Sequence, residues 1–97
     1  MKRYRVSRIA LRDLDEIFVY WAKSAGLDVA DRLIEAISER FWMLGEYPDA
    51  GRSCEDLMPA AKCFPAGKYL IYYRKIRRGV EIIHIVHGAR HPPTQAR

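Results

Sequence analysis

Apolar residues recur at helical spacing twice in the first half of the chain and then change to strand-like density. Ala10, Leu14, Ile17, Phe18, Trp21 and Ala25 fall on one stripe of a 3.6-residue period, with Arg12, Asp13, Asp15, Glu16 and Lys23 on the other side. Ser7 precedes this stripe as an N-cap and Gly26 suits the position that ends it. Ala30, Leu33, Ile34, Ile37, Phe41 and Leu44 repeat the pattern, with Asp28 as the candidate N-cap and Gly45 and Pro48 as the stop. About two residues would link the helices, and so short a link demands an antiparallel hairpin. Neither stripe can be covered by the other alone, so a sheet is expected to cover both.

The strands are expected from three places. KRYRV, residues 2–6, alternates cations with Tyr4 and Val6 and reads as a short strand with one buried face. Residues 48–60 collect Pro, Gly, Ser and Asp and read as the one long loop. Lys62 to Phe64 begins a strand that Pro65-Ala66-Gly67 should break. Residues 68–76 and 80–88 read as two strands joined through Arg77-Arg78-Gly79. Strict alternation in the last strand would put Ile83 and Ile85 on one face and Val80, Ile82 and Val86 on the other, which suits a central strand. The predicted fold class is α+β, with element order β-α-α-β-β-β and an antiparallel sheet packed against a helical hairpin.

A chain of 97 residues is expected to form one domain, 1–97, with 91–97 (HPPTQAR) as a loose tail. The apolar part of the N-terminus is interrupted by Arg8, Arg12 and Asp13, so no secretory signal is read there, no stretch is long enough to span a membrane, and a cytoplasmic location is expected. Cys54 and Cys63 lack metal-site spacing and read as reduced, buried thiols; no metal and no cofactor are expected. Charge is divided unevenly. Residues 62–97 carry eight Lys or Arg against Glu81 alone, a net of +7, whereas residues 1–61 carry nine against eleven, a net of −2. Such asymmetry suggests that one part of the surface meets an anion.

The run A10-L-R-D-L-x-x-I17, then G51-R52 with D56-L57, then G67-x-Y69-L-I-Y72-Y-R74 leading through G79-V-E-I-I to V86-H87-G88-A89-R90, resembles the ParE/RelE superfamily of bacterial toxins over nearly the whole chain. The resemblance implies a RelE/ParE-like fold and the toxin of a type II toxin–antitoxin pair, often named a plasmid stabilisation protein. Its partner would be a cognate acidic antitoxin, ParD- or RelB-like. RelE-like members are ribosome-dependent mRNA endonucleases, and their chemistry needs a proton acceptor, cations on the phosphate and a proton donor. Lys62 and Arg90 fall near two such positions. Tyr69 stands where the nuclease strand carries an arginine, and Ala96 where it carries a late tyrosine, leaving only His87 or His91 to assist Lys62 and Arg90. ParE-like members instead bind DNA gyrase and stabilise cleaved DNA. The implied reading is therefore a ParE-like binder that inhibits gyrase without turning over a substrate. The alternatives are a nuclease using Lys62, His87, Arg90 and His91 on translated mRNA, or a degenerate toxin that only binds antitoxin and tunes its operon.

Candidate contacts for target or antitoxin are Lys62, Arg74, Arg77, Arg78, Arg90 and Trp42. A guanidinium cluster at a hairpin tip fits carboxylate or phosphate well. Arg90 has two roles open to it, contact with a partner or an ion pair with Asp13 or Glu16. His87 at a strand end is expected to bond backbone, and His84, between isoleucines, to be a neutral sheet-face residue. Asp13, Asp15 and Glu16 are read as favouring the helix dipole, Trp21 as core, and Trp42 as either a flank of the core or a partner contact.

Overall fold

The computed structural model describes residues 2–88. In chain order the elements are β1 (Tyr4–Val6), α1 (Arg8–Ala25), α2 (Leu27–Glu46), β2 (Arg52–Ser53), β3 (Lys62–Ala66), β4 (Tyr69–Ile76) and β5 (Gly79–His87). The α+β architecture expected from the sequence is present. The proposed loose tail, Arg90, His91 and Ala96 lie outside the described residues. No helix among the described residues is long and apolar enough to cross a membrane.

Ser7 sets the start of α1 and also ties it to the sheet. Its Oγ accepts from the Ala10 amide at 3.0 Å and donates to the Ile83 carbonyl at 2.8 Å. Gly26, at φ 101°, serves both as the last cap of α1 and the first of α2. A left-handed glycine turns the chain within a single residue, so the link is shorter than expected and Asp28 does not cap. It lies instead in the first turn of α2, where its charge suits the helix dipole.

The sheet order is β1-β5-β4-β3-β2. It is mixed rather than wholly antiparallel, because β1 pairs with β5 in parallel, Tyr4 opposite Val80 and Val6 opposite Ile82. Parallel pairing requires a long crossover, and residues 7–78, the helical hairpin with the strands after it, supply it. The expected break at Pro65 is also absent. β3 runs through Ala66, with Pro65 opposite Leu70. β2 pairs only with Lys62 and Cys63, so the missing N–H of Pro65 costs no ladder bond on that side.

β5 is central, as its apolar density suggested, but its faces differ from strict alternation. Tyr72 is opposite His84 and Tyr73 is opposite Ile82, so Ile83 is the extra residue of a bulge. The slip reverses every side chain beyond it. Val80, Ile82 and Ile85 therefore share the main core with Ala10, Ile17, Ile37, Phe41, Leu44, Ile71 and Tyr73. Ile83 and Val86 pack instead against a smaller cluster of Cys54, Cys63 and Tyr72 to which neither helix contributes. Gly79 begins β5 at φ 141°, and a Cβ there would fall inside the Arg3 carbonyl, which accepts the Val80 amide at 3.0 Å.

The cysteines are the largest departure from the sequence reading. Cys54 and Cys63 are joined as a disulfide, not held as separate thiols. The antiparallel β2–β3 pair, Arg52 opposite Cys63, folds the loop back so that the two Cα atoms stand 5.8 Å apart, within ordinary disulfide range.

Candidate functional site

The cations of the β4–β5 hairpin do not behave alike. Arg74 Nε donates to Glu81 Oε1 at 2.8 Å, and Arg5 Nε approaches Glu81 Oε2 at 3.4 Å. Lys75 Nζ donates to Asp49 Oδ1 at 2.9 Å, and the bond and charge of Lys75 hold the Asp49 carboxyl below its usual range. Among the described residues Arg77 and Arg78, the two turn residues, have neither an ion pair nor a side-chain hydrogen bond.

The parallel β1 strand adds cations to this end of the molecule. The register Arg5 opposite Glu81, with the Arg3 carbonyl on Val80, places Lys2, Arg3 and Arg5 beside the hairpin. These three were not singled out in the sequence. The visible signal was the alternation in KRYRV, which put Arg3 and Arg5 on the same side of a strand, but nothing local stated which strand would receive it. Trp42 belongs to the same end. It is 49% exposed and meets the Tyr4 ring edge-on with centroids 5.6 Å apart, while Lys2 Nζ lies 5.1 Å from the Tyr4 centroid.

Lys62 lies opposite Tyr73 and lines a cleft of about 390 Å³ with Arg74, Lys75, Ser53 and Glu55. His87 is elsewhere. Tyr73 is across from Ile82, and four residues of β5, about 15 Å of strand from end to end, separate Ile82 from His87. Lys62 and His87 are therefore not brought into one reacting site. His87 stacks edge-on against Tyr69, with centroids 5.2 Å apart. Arg90 and His91 lie outside the described residues.

Tyr69, which occupies the place of a nuclease arginine, is 7% exposed and its hydroxyl accepts from Trp21 Nε1 at 2.8 Å. Trp21 thus takes the core role expected of it, with its one donor satisfied. Together they line a cleft of about 740 Å³ with Glu16, Tyr20, Lys68 and His87. Tyr73, fully buried, donates to the Pro48 carbonyl and accepts from the Gly51 amide, both at 2.8 Å, and so pins the turn after α2; burial pushes its phenol above the usual value.

Asp13 has a role that helical periodicity did not disclose. Its Oδ2 accepts the Ile85 amide at 2.8 Å and the His84 Nδ1 proton at 2.5 Å. With Ser7 on the Ile83 carbonyl, it continues the bonding along β5 past the point where β1 ends. Among the described residues no group of three His, Cys, Asp or Glu is placed to hold a metal. The described residues offer cationic and aromatic contact surface, and among them no set of proton donor and acceptor is assembled around a phosphate position.

Residues 4–92 match the family described as ParE toxin of type II toxin-antitoxin system, parDE. The chain is 33% identical over 87 residues to Toxin ParE1 of Caulobacter vibrioides, covering 90% of each chain. It is 24% identical over 86 residues to Toxin ParE1 of Mycobacterium tuberculosis, covering 88% of each. Among solved structures it resembles one titled as the chromosomal ParDE TA system from P. aeruginosa, with a TM-score of 0.77 at 22% identity, covering 90% of this chain and 96% of that one. A small cationic α+β module of this kind is a toxin fold. The chain belongs to the ParE toxin family of type II toxin–antitoxin systems.

Proposed function

We propose that this chain acts by adhesion: it binds DNA gyrase in the cytoplasm, stabilises cleaved DNA on it, and is held inactive by a cognate acidic antitoxin of the ParD kind. The observation that carries this reading is Tyr69. Where ribosome-dependent nucleases place a cation for the phosphate, this strand has a buried phenol already bonded to Trp21. The wide separation of Lys62 from His87 supports the same reading, since general acid–base transfer needs both groups within hydrogen-bond reach of one substrate.

The cations at the β1 and hairpin end supply the other half. Arg77 and Arg78 offer guanidinium forks with no carboxylate partner among the described residues, and an acidic antitoxin segment would meet them first by long-range attraction. Trp42, half-exposed beside Tyr4, gives that end an aromatic anchor.

Expression without antitoxin tests the target. A DNA-damage response with bulk mRNA intact, and accumulation of gyrase-linked DNA breaks with the purified chain, are expected. Ribosome-dependent cuts in translated message would overturn the reading in favour of the nuclease, and harmless expression with intact antitoxin binding would favour a degenerate toxin.

A further inference from the structure

β2 is two residues long, and its pairing alone is a slight hold on the loop that follows. The loop is also tied by Cys54 N–H to Ala61 O at 2.9 Å, Ala61 N–H to Met58 O at 3.2 Å, Ala60 N–H to Glu55 Oε2 at 3.1 Å, and Tyr72 O–H to Asp56 Oδ2 at 3.1 Å. Leu57 is 41% exposed and does not anchor it. The covalent link from Cys54 to Cys63 is the strong restraint. Its two sulfurs are placed differently. Cys54 lines a cleft of about 670 Å³ with Arg52, Lys68 and Leu70, and Arg52 Nη1 lies 3.3 Å from its Sγ. Both cysteines pack with Tyr72, Cys54 at 8% exposed and Cys63 at 1%, so the cleft side gives Cys54 the better access.

The geometry points to a reversible thiol–disulfide exchange site, in which Cys54 is the sulfur that exchanges with a small thiol and Cys63 is the resolving thiol. An incoming thiolate attacks Cys54 Sγ; the new S–S bond forms as the Cys54–Cys63 bond breaks, and Cys63 leaves as thiolate and takes a proton from water. A second thiolate attacks the outer sulfur, releasing the small-molecule disulfide and a Cys54 thiolate. Two small thiols are oxidised to one disulfide and the protein pair gains the two electrons. The Arg52 guanidinium favours the Cys54 thiolate, which also makes Cys54 the attacking group when the bond re-forms. The cleft wall carries Arg52 and Lys68 together with Glu55 and Asp56, so it sets no net charge requirement on the incoming thiol.

The loop also walls the second cleft, the one holding Lys62, Arg74 and Lys75. Reduction would therefore loosen the surface that presents these cations. That consequence for binding rests on the toxin reading; the exchange chemistry does not.

The purified full chain is incubated in mixtures of reduced and oxidised glutathione, quenched with acid, alkylated and mapped by peptide mass. A reversible conversion is expected, with glutathione trapped on Cys54 in Cys63→Ala and no adduct on Cys63 in Cys54→Ala. In the reduced wild type, alkylation of Cys54 should outpace that of Cys63, and Arg52→Ala should slow it severalfold. Hydrogen exchange across residues 55–61 should rise on reduction. Adducts on Cys63, equal alkylation of both thiols, no effect of Arg52→Ala, or an unchanged loop would each overturn the proposal. The alkylation rates of the wild type decide the matter even if a Cys→Ala variant fails to fold. Gyrase poisoning is not part of any of these readouts, so the two hypotheses fail separately.

Discussion

Asp13 on α1 accepts the backbone amide of Ile85 on β5, at 2.8 Å, three positions past the paired reach of β1. A side chain thereby stands in for a strand. Asp13→Ala leaves a partly buried amide without an acceptor and is expected to destabilise the fold by about 1–3 kcal/mol. Urea denaturation measures it. Asp13→Asn keeps a carbonyl oxygen and should recover part of the loss; equal losses for both variants would assign the effect to something other than this bond.

Trp21 and Tyr69 bridge α1 to β4 through one hydrogen bond of 2.8 Å. In a double-mutant cycle of Trp21→Phe and Tyr69→Phe, a coupling of about 1 kcal/mol is expected. A coupling indistinguishable from zero would show that the two rings matter only for packing.

Gly79 gives β1 room to lie against the start of β5. Gly79→Ala drives a methyl into the Arg3 backbone and demands a positive φ of alanine, so a loss of roughly 1–3 kcal/mol is expected. Gly67, also at positive φ but facing open space, should tolerate alanine with a smaller loss. The contrast in thermal midpoints between the two variants checks the point.

Tyr73 links stability to alkaline pH. Burial raises its phenol above the ordinary 10.0, so the neutral form is favoured in the fold. The stability this contributes is complete below pH 10.0 and is lost as pH rises through the raised value, because the unfolded phenol ionises first. Tyr73→Phe should be less stable at pH 8, having lost two hydrogen bonds, yet should lose less stability between pH 9 and 11. Parallel alkaline slopes for wild type and variant would refute the assignment.

Arg77 and Arg78, without carboxylate partners among the described residues, are expected to steer an acidic antitoxin. Replacing both by Ala should slow association at low salt and flatten its ionic-strength dependence, with dissociation little changed. An unchanged on-rate at low salt would move the docking surface elsewhere.

Most of the elements were legible from local patterns, because a helix or strand imposes its own period on the residues within it. Ser7, Gly26, the two apolar stripes and the Arg77-Arg78 turn all stand where those periods put them. The hairpin cations of the candidate site were equally visible as composition. The role of each was not: only the register Arg74 opposite Glu81 shows which cation is already neutralised.

Tertiary structure decided what depends on residues far apart in the chain. The parallel docking of β1 brought Lys2, Arg3 and Arg5 to the hairpin. The bulge at Ile83 moved Ile85 into the core, Asp13 turned from dipole partner to strand-edge acceptor, and the β2–β3 fold-back joined two cysteines read as separate. In each case the local pattern permits several outcomes of similar energy, and the choice is made by a contact whose partner lies on another element, which no local period can specify.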